Sequence, residues 1–460
     1  MPLIDQSDPR PLHFMGIAGA GMSALAELCT RRGAKVTGCD RDPSGAPDLK
    51  GLGIQVSAGH DAAHVNGHRA LVVSSAIPKD HPEIAHAIDL GIPVIRRAEA
   101  LAETTAGGTL VAIAGTHGKS TTTVMTTEAL AAAGVNPTGV VGARVTAWKG
   151  NLSGGGNDVF VVEADEYDRS FLALTPDVAV VTNVEADHLD IYHDLDDVRA
   201  AFEQFVRDAR WIVLCADQSG SHHLRTPPSA EVVRYGVGSL DARLVARAIE
   251  TGDGRTAFDV HFDGVRRGRV SIGAVGLHNV LNALAALGVG LTRFGVSVEQ
   301  MAPGLASFAG AERRFQRLGV AGGVSVVDDY AHHPTEILAT LSAARLAFPG
   351  HRIVIAFQPH LYSRTRDFAA DFGLALSRAD ELFLCDIYPA REQPIPDVSS
   401  GLIADSAALA GRRPAWMGSR TGLSAALAAF VKEGDVVLTV GAGDITKTGP
   451  ELLALLGGRT

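Results

Sequence analysis

Short apolar runs, each followed by a glycine-rich or polar turn and then by a helical pattern, recur along the chain. Strands that are apolar on both faces are typical of parallel sheets covered by helices on both sides. Strand alternating with helix therefore predicts an α/β protein. The predicted strands lie at 12–15, 35–39, 70–73, 92–95, 110–114, within 158–166 and 178–183, and at 324–327, 352–357, 381–385 and 435–440.

Length and pattern together divide the chain into three parts. At 460 residues and about 150 residues per domain, three domains are expected. We predict a Rossmann-like N-terminal domain over 1–107, a central P-loop ATPase-like α/β domain over 108–310 and a Rossmann-like C-terminal domain over 311–460. Residues 304–310 are the expected linker, and the arginine-rich stretch 243–270 is expected to be β-like.

Composition narrows the class of protein. The chain is 46% hydrophobic and 20% charged, which is ordinary for a globular domain. A net charge of -10 disfavours nucleic acid as a partner. The four cysteines form no Cys-x-x-Cys pair, and neither a signal peptide nor a membrane-length apolar run is apparent. A cytoplasmic protein without a membrane segment is expected, and its oligomeric state is left open.

The residues that follow the strand at 110–114 predict a phosphate-binding loop. Gly115 and Gly118 permit close backbone approach, and Lys119 and Ser120 open a helix whose free N–H groups attract an anion. The common Gly-x-x-x-x-Gly-Lys-Ser/Thr spacing would need glycine at Ile113, so the match is to a shorter variant. Lys119 is expected at the β- and γ-phosphates of a nucleotide and Ser120 at Mg²⁺.

Acidic and imidazole side chains follow the next two strands. Glu163 ends one of them, and His188 lies within the polar run 183–190 after the other. Because carboxyl ends of parallel strands share one edge of the sheet, these groups are candidates for holding Mg²⁺ beside a nucleotide.

Two polar clusters begin the third part of the chain. Arg313 and Arg314 are expected to enter a nucleotide site when domains close. The run 327–336 contains two carboxylates and two histidines. Adjacent residues point in different directions, so His332 and His333 favour a substrate-facing loop over a shared metal site. Residues 358–366 and 441–444 predict further polar loops at the same sheet edge.

Two other classes of function stay open at this point. The glycines at 16–21, with Asp40 about 20 residues beyond them, suit a nicotinamide-dependent dehydrogenase. Their Gly-x-x-Gly-x-Gly spacing departs from the dinucleotide fingerprint, and this reading leaves the Gly-Lys-Ser loop unexplained. A nucleotide-gated binding module would use that loop as a switch without forming a product.

Taken together, the motifs resemble those of the Mur ligase family, most closely its members that act on UDP-N-acetylmuramate and alanine. The central loop is shared with folylpolyglutamate synthetases, and the other motifs are more specific. The matching motifs are Gly-Ile-Ala-Gly-Ala-Gly-Met-Ser at 16–23, Ser-Ser-Ala-Ile-Pro at 74–78, Gly-Thr-His-Gly-Lys-Ser-Thr-Thr-Thr at 115–123, Glu-Ala-Asp-Glu at 163–166, Asn-Val-Glu-Ala-Asp-His-Leu-Asp at 183–190, His-Asn-x-x-Asn at 278–282, Asp-Asp-Tyr-Ala-His-His-Pro-Thr-Glu at 328–336 and Gln-Pro-His-Leu-Tyr-Ser-Arg-Thr at 358–365.

The resemblance implies an ADP-forming amide ligase for peptidoglycan precursor synthesis. It would join L-alanine to the carboxylate of UDP-N-acetylmuramate through an acyl-phosphate, with ATP and Mg²⁺. The three domains would bind the UDP-sugar, ATP and the amino acid in turn. A ligase that joins a ready-made peptide to the same sugar is the alternative within the family.

The resemblance also implies roles for individual residues. ATP would contact Gly115, Thr116, His117, Gly118, Lys119, Ser120, Thr121, His278, Asn279, Arg314 and Asp329. Ser120, Glu163 and His188 would ligate magnesium; Lys119, Glu163, His188 and Arg314 would be catalytic. Substrate would contact Gly16, Gly19, Gly21, Ser74, His333, His360 and Arg364. No lysine is placed to be the carbamylated metal ligand of some relatives, and Asp397 stands where the family more often has glycine.

Overall fold

The structure, a computed structural model, describes residues 3–5, 7–45, 47–390 and 392–458. Three sheets follow one another along the chain, with five, ten and six strands. Each is covered by helices, which confirms the predicted three-domain α/β class. Among the described residues, none of the helices combines the length and apolar character that crossing a membrane requires.

The first sheet is wholly parallel, in the order β3-β2-β1-β4-β5. Its central strand β1 carries the glycine turn, so that turn lies at the middle of the sheet's carboxyl edge. The strands are β1 (Leu12–Met15), β2 (Val36–Asp40), β3 (Gln55–Ala58), β4 (Ala70–Val73) and β5 (Val94–Arg96). The helices are α1 (Ala20–Arg31), α2 (Pro47–Gly51), α3 (Pro82–Asp89) and α4 (Arg97–Thr105).

The central sheet is mixed, in the order β15-β14-β13-β12-β11-β10-β6-β9-β7-β8. Its strands are β6 (Thr109–Ala114), β7 (Thr138–Val145), β8 (Gly150–Ser153), β9 (Val159–Glu163), β10 (Val178–Val181), β11 (Trp211–Cys215), β12 (Glu231–Gly236), β13 (Leu244–Gly252), β14 (Arg255–Phe262) and β15 (Val265–Ile272). Its helices are α5 (Lys119–Ala132), α6 (Leu195–Val206), α7 (Ser219–His222), α8 (Leu277–Val289) and α9 (Val298–Ser307).

Strand β6 pairs in parallel with β10 on one side and β9 on the other. All three strands are buried along most of their length. The turns that follow them therefore meet at one edge, as the sequence predicts. The antiparallel strands β13 to β15 confirm the expected β-like stretch.

The third sheet has the order β16-β17-β21-β18-β19-β20, parallel except at β16. The antiparallel edge strand β16 is absent from the sequence prediction. The strands are β16 (Gln316–Ala321), β17 (Val324–Asp329), β18 (Arg352–Phe357), β19 (Glu381–Cys385), β20 (Trp416–Gly418) and β21 (Asp435–Val440). The helices are α10 (Pro334–Ala347), α11 (Tyr362–Leu376), α12 (Gly401–Leu409), α13 (Arg420–Phe430) and α14 (Thr448–Gly457).

The structure corrects two expectations. The linker prediction at 304–310 is wrong at its start, because α9 continues to Ser307 and Gly304 is buried in it. A Cβ at Gly304 would overlap the backbone of Glu128 on α5, so this glycine permits close helix packing. Residues 362–366, expected in a polar loop, form the first turn of α11.

Asp397, the departure from the family's glycine, has a left-handed backbone with φ of 64°. Glycine adopts this conformation freely, and aspartate is one of the few other residues that tolerate it. The backbone therefore explains both the usual glycine and its replacement here.

Candidate active site

The turn after β6 is fixed to the end of β10. The His117 N–H donates to Asn183 Oδ1 (2.8 Å), and Thr182 Oγ1 donates to the His117 carbonyl (2.6 Å). Gly118, with φ of 82°, begins α5, and a Cβ there would lie 2.6 Å from Asn282 Oδ1. Glycine is thus required at this position by both conformation and space.

The Lys119 side chain is largely buried, with 14% of it exposed, and folds back onto the turn that precedes it. Its Nζ donates to the carbonyl oxygens of Gly115 (2.7 Å) and Thr116 (3.3 Å) and lies 2.8 Å from a carboxylate oxygen of Glu166. Burial opposes the charge, but the attraction of Glu166 outweighs it and raises the pKa of Lys119. The predicted phosphate-binding cation is therefore charged and neutralised within the protein.

Glu166 is absent from the predicted site residues, although it ends the Glu-Ala-Asp-Glu run at 163–166. It is only 2% exposed, and the Tyr192 hydroxyl donates to its carbonyl (2.6 Å). The signal for it in the sequence is this acidic run, which directly follows an apolar strand and offers carboxylates that could pair with Lys119.

Two of the three predicted metal ligands are in contact. The Ser120 hydroxyl donates to Glu163 Oε1 (2.9 Å), and Glu163 Oε2 accepts from the Gly142 N–H (2.6 Å). His188 contacts instead the partner of Lys119: its Nε2 lies 3.8 Å from Glu166 Oε1. His188 also has a left-handed backbone, φ 53°, and strain of this kind is concentrated at functional sites.

His117 connects the central loop to the third domain. Its Nδ1 lies 3.2 Å from Glu336 Oε1 and its Nε2 3.4 Å from Glu185 Oε2. Although burial opposes protonation, these carboxylates raise the pKa of His117 to about 9. The other oxygen of Glu336 accepts from the N–H groups of His332 and His333 at the start of α10, so the helix cap orients the carboxylate.

A second connection between the domains is a buried ion pair. Arg364 Nη2, on α11, donates to Asp187 Oδ1 (2.6 Å), and both side chains are nearly inaccessible. Arg364 more than offsets the burial of Asp187 and lowers the pKa of that carboxyl far below its usual range. Thr335 Oγ1 adds a bond to Glu185 Oε2 (2.7 Å).

His333 and His360 lie at the same interface. The ring of His333 is 4.8 Å from that of His117, centroid to centroid. His360 stacks on Tyr388 at 5.8 Å and lies 6.1 Å from the ring of His332. The two predicted substrate-side histidines thus lie on the third-domain side of the junction.

A cavity of about 540 Å³ lies between the central and third domains. Seven of the predicted nucleotide-binding residues line it: His117, Gly118, Thr121, His278, Asn279, Arg314 and Asp329. Gly115, Thr116, Lys119 and Ser120 do not. The loop therefore lines the cavity with His117 and Gly118, whereas the ammonium group of Lys119 is directed to Glu166.

Burial shifts the pKa values of two titratable groups in the cavity lining, His278 and Asp329. Burial lowers the pKa of His278 to about 4, so its imidazole is neutral near pH 7. Burial raises the pKa of Asp329 to about 6, although Arg314 opposes the shift. The carboxylate of Asp329 accepts from the N–H groups of Phe315 (2.7 Å) and Ala331 (2.8 Å).

The neighbouring arginines 313 and 314 have different partners. Arg314 lines the cavity and lies 3.8 Å from Glu336. Arg313 instead donates to the Gly441 carbonyl (2.5 Å) and to Asp328 (3.3 Å) within its own domain. Of the two arginines, Arg314 lines the cavity and Arg313 does not, although both guanidinium groups lie over the ring of Tyr330.

The predicted residues of the first domain surround its glycine turn. A Cβ at Gly16 would lie 3.5 Å from that of Ser74, and one at Gly21 would lie 3.2 Å from Arg97 Nη1. Gly19 caps α1. The carboxylate of Asp40 accepts from the Ala18 N–H (2.9 Å). Arg97, a nearby cation, is missing from the predicted residues.

Comparisons with known proteins all indicate the same family. Family models described as the Mur ligase family catalytic domain, the Mur ligase middle domain and the Mur ligase glutamate ligase domain match residues 11–109, 113–290 and 313–443. A UDP-N-acetylmuramate--L-alanine ligase of Kineococcus radiotolerans is 45% identical over 97% of this chain and 96% of its own.

Solved structures agree with this result. The crystal structure of a UDP-N-acetylmuramate-alanine ligase from Thermotoga maritima has a TM-score of 0.83 and 28% identity, covering 98% of this chain and 100% of its own. A murein peptide ligase from Psychrobacter arcticus, at 24% identity, shares the fold with a TM-score of 0.73, covering 98% and 99%.

Because Arg364 and Asp187 form a buried ion pair between the central and third domains, we expect the docking of these domains to depend on both charges. Arg364→Met leaves the buried Asp187 without its arginine partner, and breaking a buried pair in this way costs about 3–5 kcal/mol. We expect a larger radius of gyration by small-angle scattering, and partial recovery when Asp187→Leu is added. Arg366→Met, at an exposed neighbouring pair, is the control and should change nothing. An unchanged radius for Arg364→Met would contradict the docking role.

The raised pKa of His117 predicts a loss of stability at alkaline pH. With a folded pKa of about 9 against an ordinary value of 6.5, its contribution is complete below pH 6.5 and disappears as pH rises through 9. This contribution to the free energy of unfolding is at most about 3 kcal/mol. The difference in thermal midpoint between the wild type and His117→Asn should shrink across this range. A constant difference from pH 6 to 9.5 would contradict the assignment.

Proposed function

The chain belongs to the Mur ligase family, and from this membership and its site we propose that it joins L-alanine to UDP-N-acetylmuramate. ATP would be converted to ADP in the reaction, a step of peptidoglycan precursor synthesis. The observation that carries the proposal is the Gly-Lys-Ser loop, in which His117 and Gly118, directly before Lys119, line a cavity of about 540 Å³ shared with the third domain.

Amide formation through an acyl-phosphate suits a site between two domains. An amine cannot displace an oxygen from a carboxylate until that oxygen is converted into a leaving group. Phosphoryl transfer from ATP would supply an acyl-phosphate, and the alanine amine would then attack its carbonyl carbon, releasing phosphate. The acyl-phosphate would hydrolyse in water, so the reaction needs a site closed between domains. The interface built by His117, Glu336, Asp187 and Arg364 supports that requirement.

Lys119 is proposed to act on the γ-phosphate. In the structure its ammonium group has two carbonyl oxygens and Glu166 as partners. An incoming phosphate would compete with the carbonyl oxygens, which are neutral, more readily than with Glu166. Positive charge at this position would stabilise the charge that develops during transfer.

Ser120 and Glu163 have the chemistry of a magnesium site. Both offer hard oxygen atoms, they are 2.9 Å apart, and they adjoin the phosphate loop. His188 is proposed as the third ligand, with Glu166 between it and Lys119. When bound there, Mg²⁺ would neutralise phosphate charge. The protein's part is to orient these three side chains, which it does through Gly142, Asp187 and the strained backbone at 188.

The remaining nucleotide contacts are proposed from the cavity lining. His278 and Asn279 would lie by the adenine, where a neutral imidazole avoids burying a charge against an aromatic base. Asp329 would accept from the ribose hydroxyls, and Arg314 would approach the phosphates. The loop residues Gly115, Thr116, His117, Gly118 and Thr121 would surround them.

The substrates are proposed on the two outer domains, with boundaries at 1–107, 108–310 and 311–460. Gly16, Gly19, Gly21 and Ser74 would approach the UDP portion, with Arg97 as an added cation near the diphosphate. His333 and His360 would face the amino acid. Arg364, which Asp187 engages, would complete that side by fixing the position of α11.

The proposed reaction is tested by ADP release from ATP, UDP-N-acetylmuramate and a panel of amino acids and short peptides. We expect release only when both the UDP-sugar and L-alanine are present, with an amide product of matching mass. Preference for a peptide such as L-alanyl-D-glutamyl-diaminopimelate would instead identify a peptide-recycling ligase. ADP release without an acceptor would favour a nucleotide-gated module.

The assignment of Lys119 predicts that Lys119→Ala lowers kcat by at least about 10²-fold, because an electrostatic group acting on the transition state is lost. Binding of UDP-N-acetylmuramate, measured by calorimetry, should stay within about twofold, since that substrate is assigned to another domain. Lys432→Ala, at an exposed position of the third domain, is the matched control. A near-normal kcat at saturating ATP would contradict the phosphate-loop assignment.

A further inference from the structure

A second group of ligand-type side chains lies in the first domain, outside the cavity. His13 on β1, Cys39 at the end of β2, His64 on the short 62–65 helix and Glu83 on α3 bring one ligand atom each to within 4.8 Å of one another. His13, Cys39 and Glu83 are 2%, 0% and 0% exposed. Neither the proposed reaction nor the sequence motifs use this cluster.

Glu83 is the centre of the group. Its carboxylate oxygens lie 3.1 Å from His13 Nε2, 3.4 and 3.6 Å from Cys39 Sγ, and 3.9 Å from His64 Nδ1. A buried carboxylate requires a cation or several donors. At these distances the surrounding groups either carry protons shared with Glu83 or coordinate a metal ion with it.

Hydrogen bonding fixes which nitrogen of His13 is available. The His68 Nδ1 must donate to the Asn66 carbonyl (3.1 Å), so its Nε2 accepts from the Thr37 hydroxyl (2.8 Å). Thr37 Oγ1 then accepts from His13 Nδ1 (2.8 Å). In the neutral ring, His13 Nε2 therefore presents a lone pair to Glu83, and this buried atom makes no hydrogen bond within the part of the chain that the structure describes.

His64 Nδ1 is also unprotonated, because it accepts a 3.3 Å hydrogen bond from the Asp61 N–H. Its single lone pair is engaged in that bond, so His64 must give it up to bind a metal. The free lone pair of His13, a thiol and a carboxylate thus meet at one buried point, with His64 beside them. A chain from His13 through Thr37 to His68 is the kind of outer-shell support that orients metal-bound histidines.

From this geometry we propose that His13, Cys39, His64 and Glu83 bind a structural Zn²⁺ ion. Zinc accepts this mixture of nitrogen, sulfur and oxygen ligands, and its bond lengths place neighbouring ligand atoms of a tetrahedron roughly 3.4 Å apart. The separations from Glu83 to His13 (3.1 Å) and Cys39 (3.4 Å) agree with that value. His64, at 3.9 Å from Glu83, must move inward and exchange its hydrogen bond from Asp61 for the metal. Magnesium, which prefers oxygen ligands, would not select this set.

The site would be closed, because four protein ligands leave no open coordination position. Its role would be to stiffen the glycine turn of the first domain. The carbonyl of Cys39 accepts from the N–H groups of Gly16 (2.9 Å) and Ile17 (3.2 Å), which belong to the turn. A metal bound to the Cys39 thiolate would therefore fix the residue to which the turn is hydrogen-bonded. His60, with Nδ1 at 3.1 Å from Cys39 Sγ, is a neighbouring donor that could replace His64.

The test uses the full-length protein, stripped with a chelator and titrated anaerobically with Co²⁺ and then with Zn²⁺. We expect one equivalent of Co²⁺ to give intense visible bands of a tetrahedral site and near-ultraviolet thiolate charge transfer, both removed by Zn²⁺. Wild-type protein purified without chelator should contain one zinc per chain by plasma mass spectrometry. Neither readout depends on ligase activity, so the result is independent of the proposed function.

Variants assign the ligands. Cys39→Ser should abolish the charge-transfer band, whereas Cys29→Ser, at another buried cysteine of the same domain, should retain it. Thr37→Val should weaken zinc binding about 10–100-fold by removing the partner of His13. A wild-type protein that binds no Co²⁺ or Zn²⁺ stoichiometrically, or a band unaffected by Cys39→Ser, overturns the proposal and leaves His13 and Glu83 as a proton-sharing pair.

Discussion

Buried charge is the constraint on which the arrangement of the central and third domains depends. A charged group removed from water must be paired, or the cost of desolvation is several kcal/mol. The phosphate loop buries a lysine and a protonated histidine. Lys119 is paired within its own domain by Glu166, but His117 takes one of its carboxylates, Glu336, from the third domain. Asp187 takes its arginine partner, Arg364, from across the boundary, in addition to contacts with the neighbouring His188. The loop reaches its buried state only when the third domain is docked.

This dependence connects nucleotide binding to domain position. The cavity has walls from both domains, and Arg314 and Asp329 reach it from the third while Gly118 and His278 reach it from the second. A ligand that contacts all four stabilises the docked arrangement by its differential affinity for it. Glu336 contacts both His117 and Arg314, so binding of phosphate near either cation would change the electrostatic attraction that holds the two domains together.

Much of the fold could be predicted from the sequence, because apolar runs and glycine turns are local features. The strands at 352–357, 381–385 and 435–440 end where predicted, and the loop at 115–120 lies at the expected sheet edge. The ion pairs could not be predicted, since Asp187 and Arg364 are 177 residues apart and only the packed domains bring them together. The same applies to the different partners of Arg313 and Arg314, Asp328 and Glu336, and to the pairing of Glu166 with Lys119.

The two candidate metal positions differ in a way that follows from their neighbours. Ser120 and Glu163 offer only oxygen to an ion, and Ser120 belongs to the loop whose His117 and Gly118 line the cavity. His13, Cys39 and Glu83 are sealed beneath a glycine turn and include sulfur and nitrogen. A hard, exchangeable ion suits the first position because substrate must complete its coordination. A borderline ion with a full protein shell suits the second, because no substrate can reach it. Ligand chemistry and access thus select different ions for reaction and for structure within one chain.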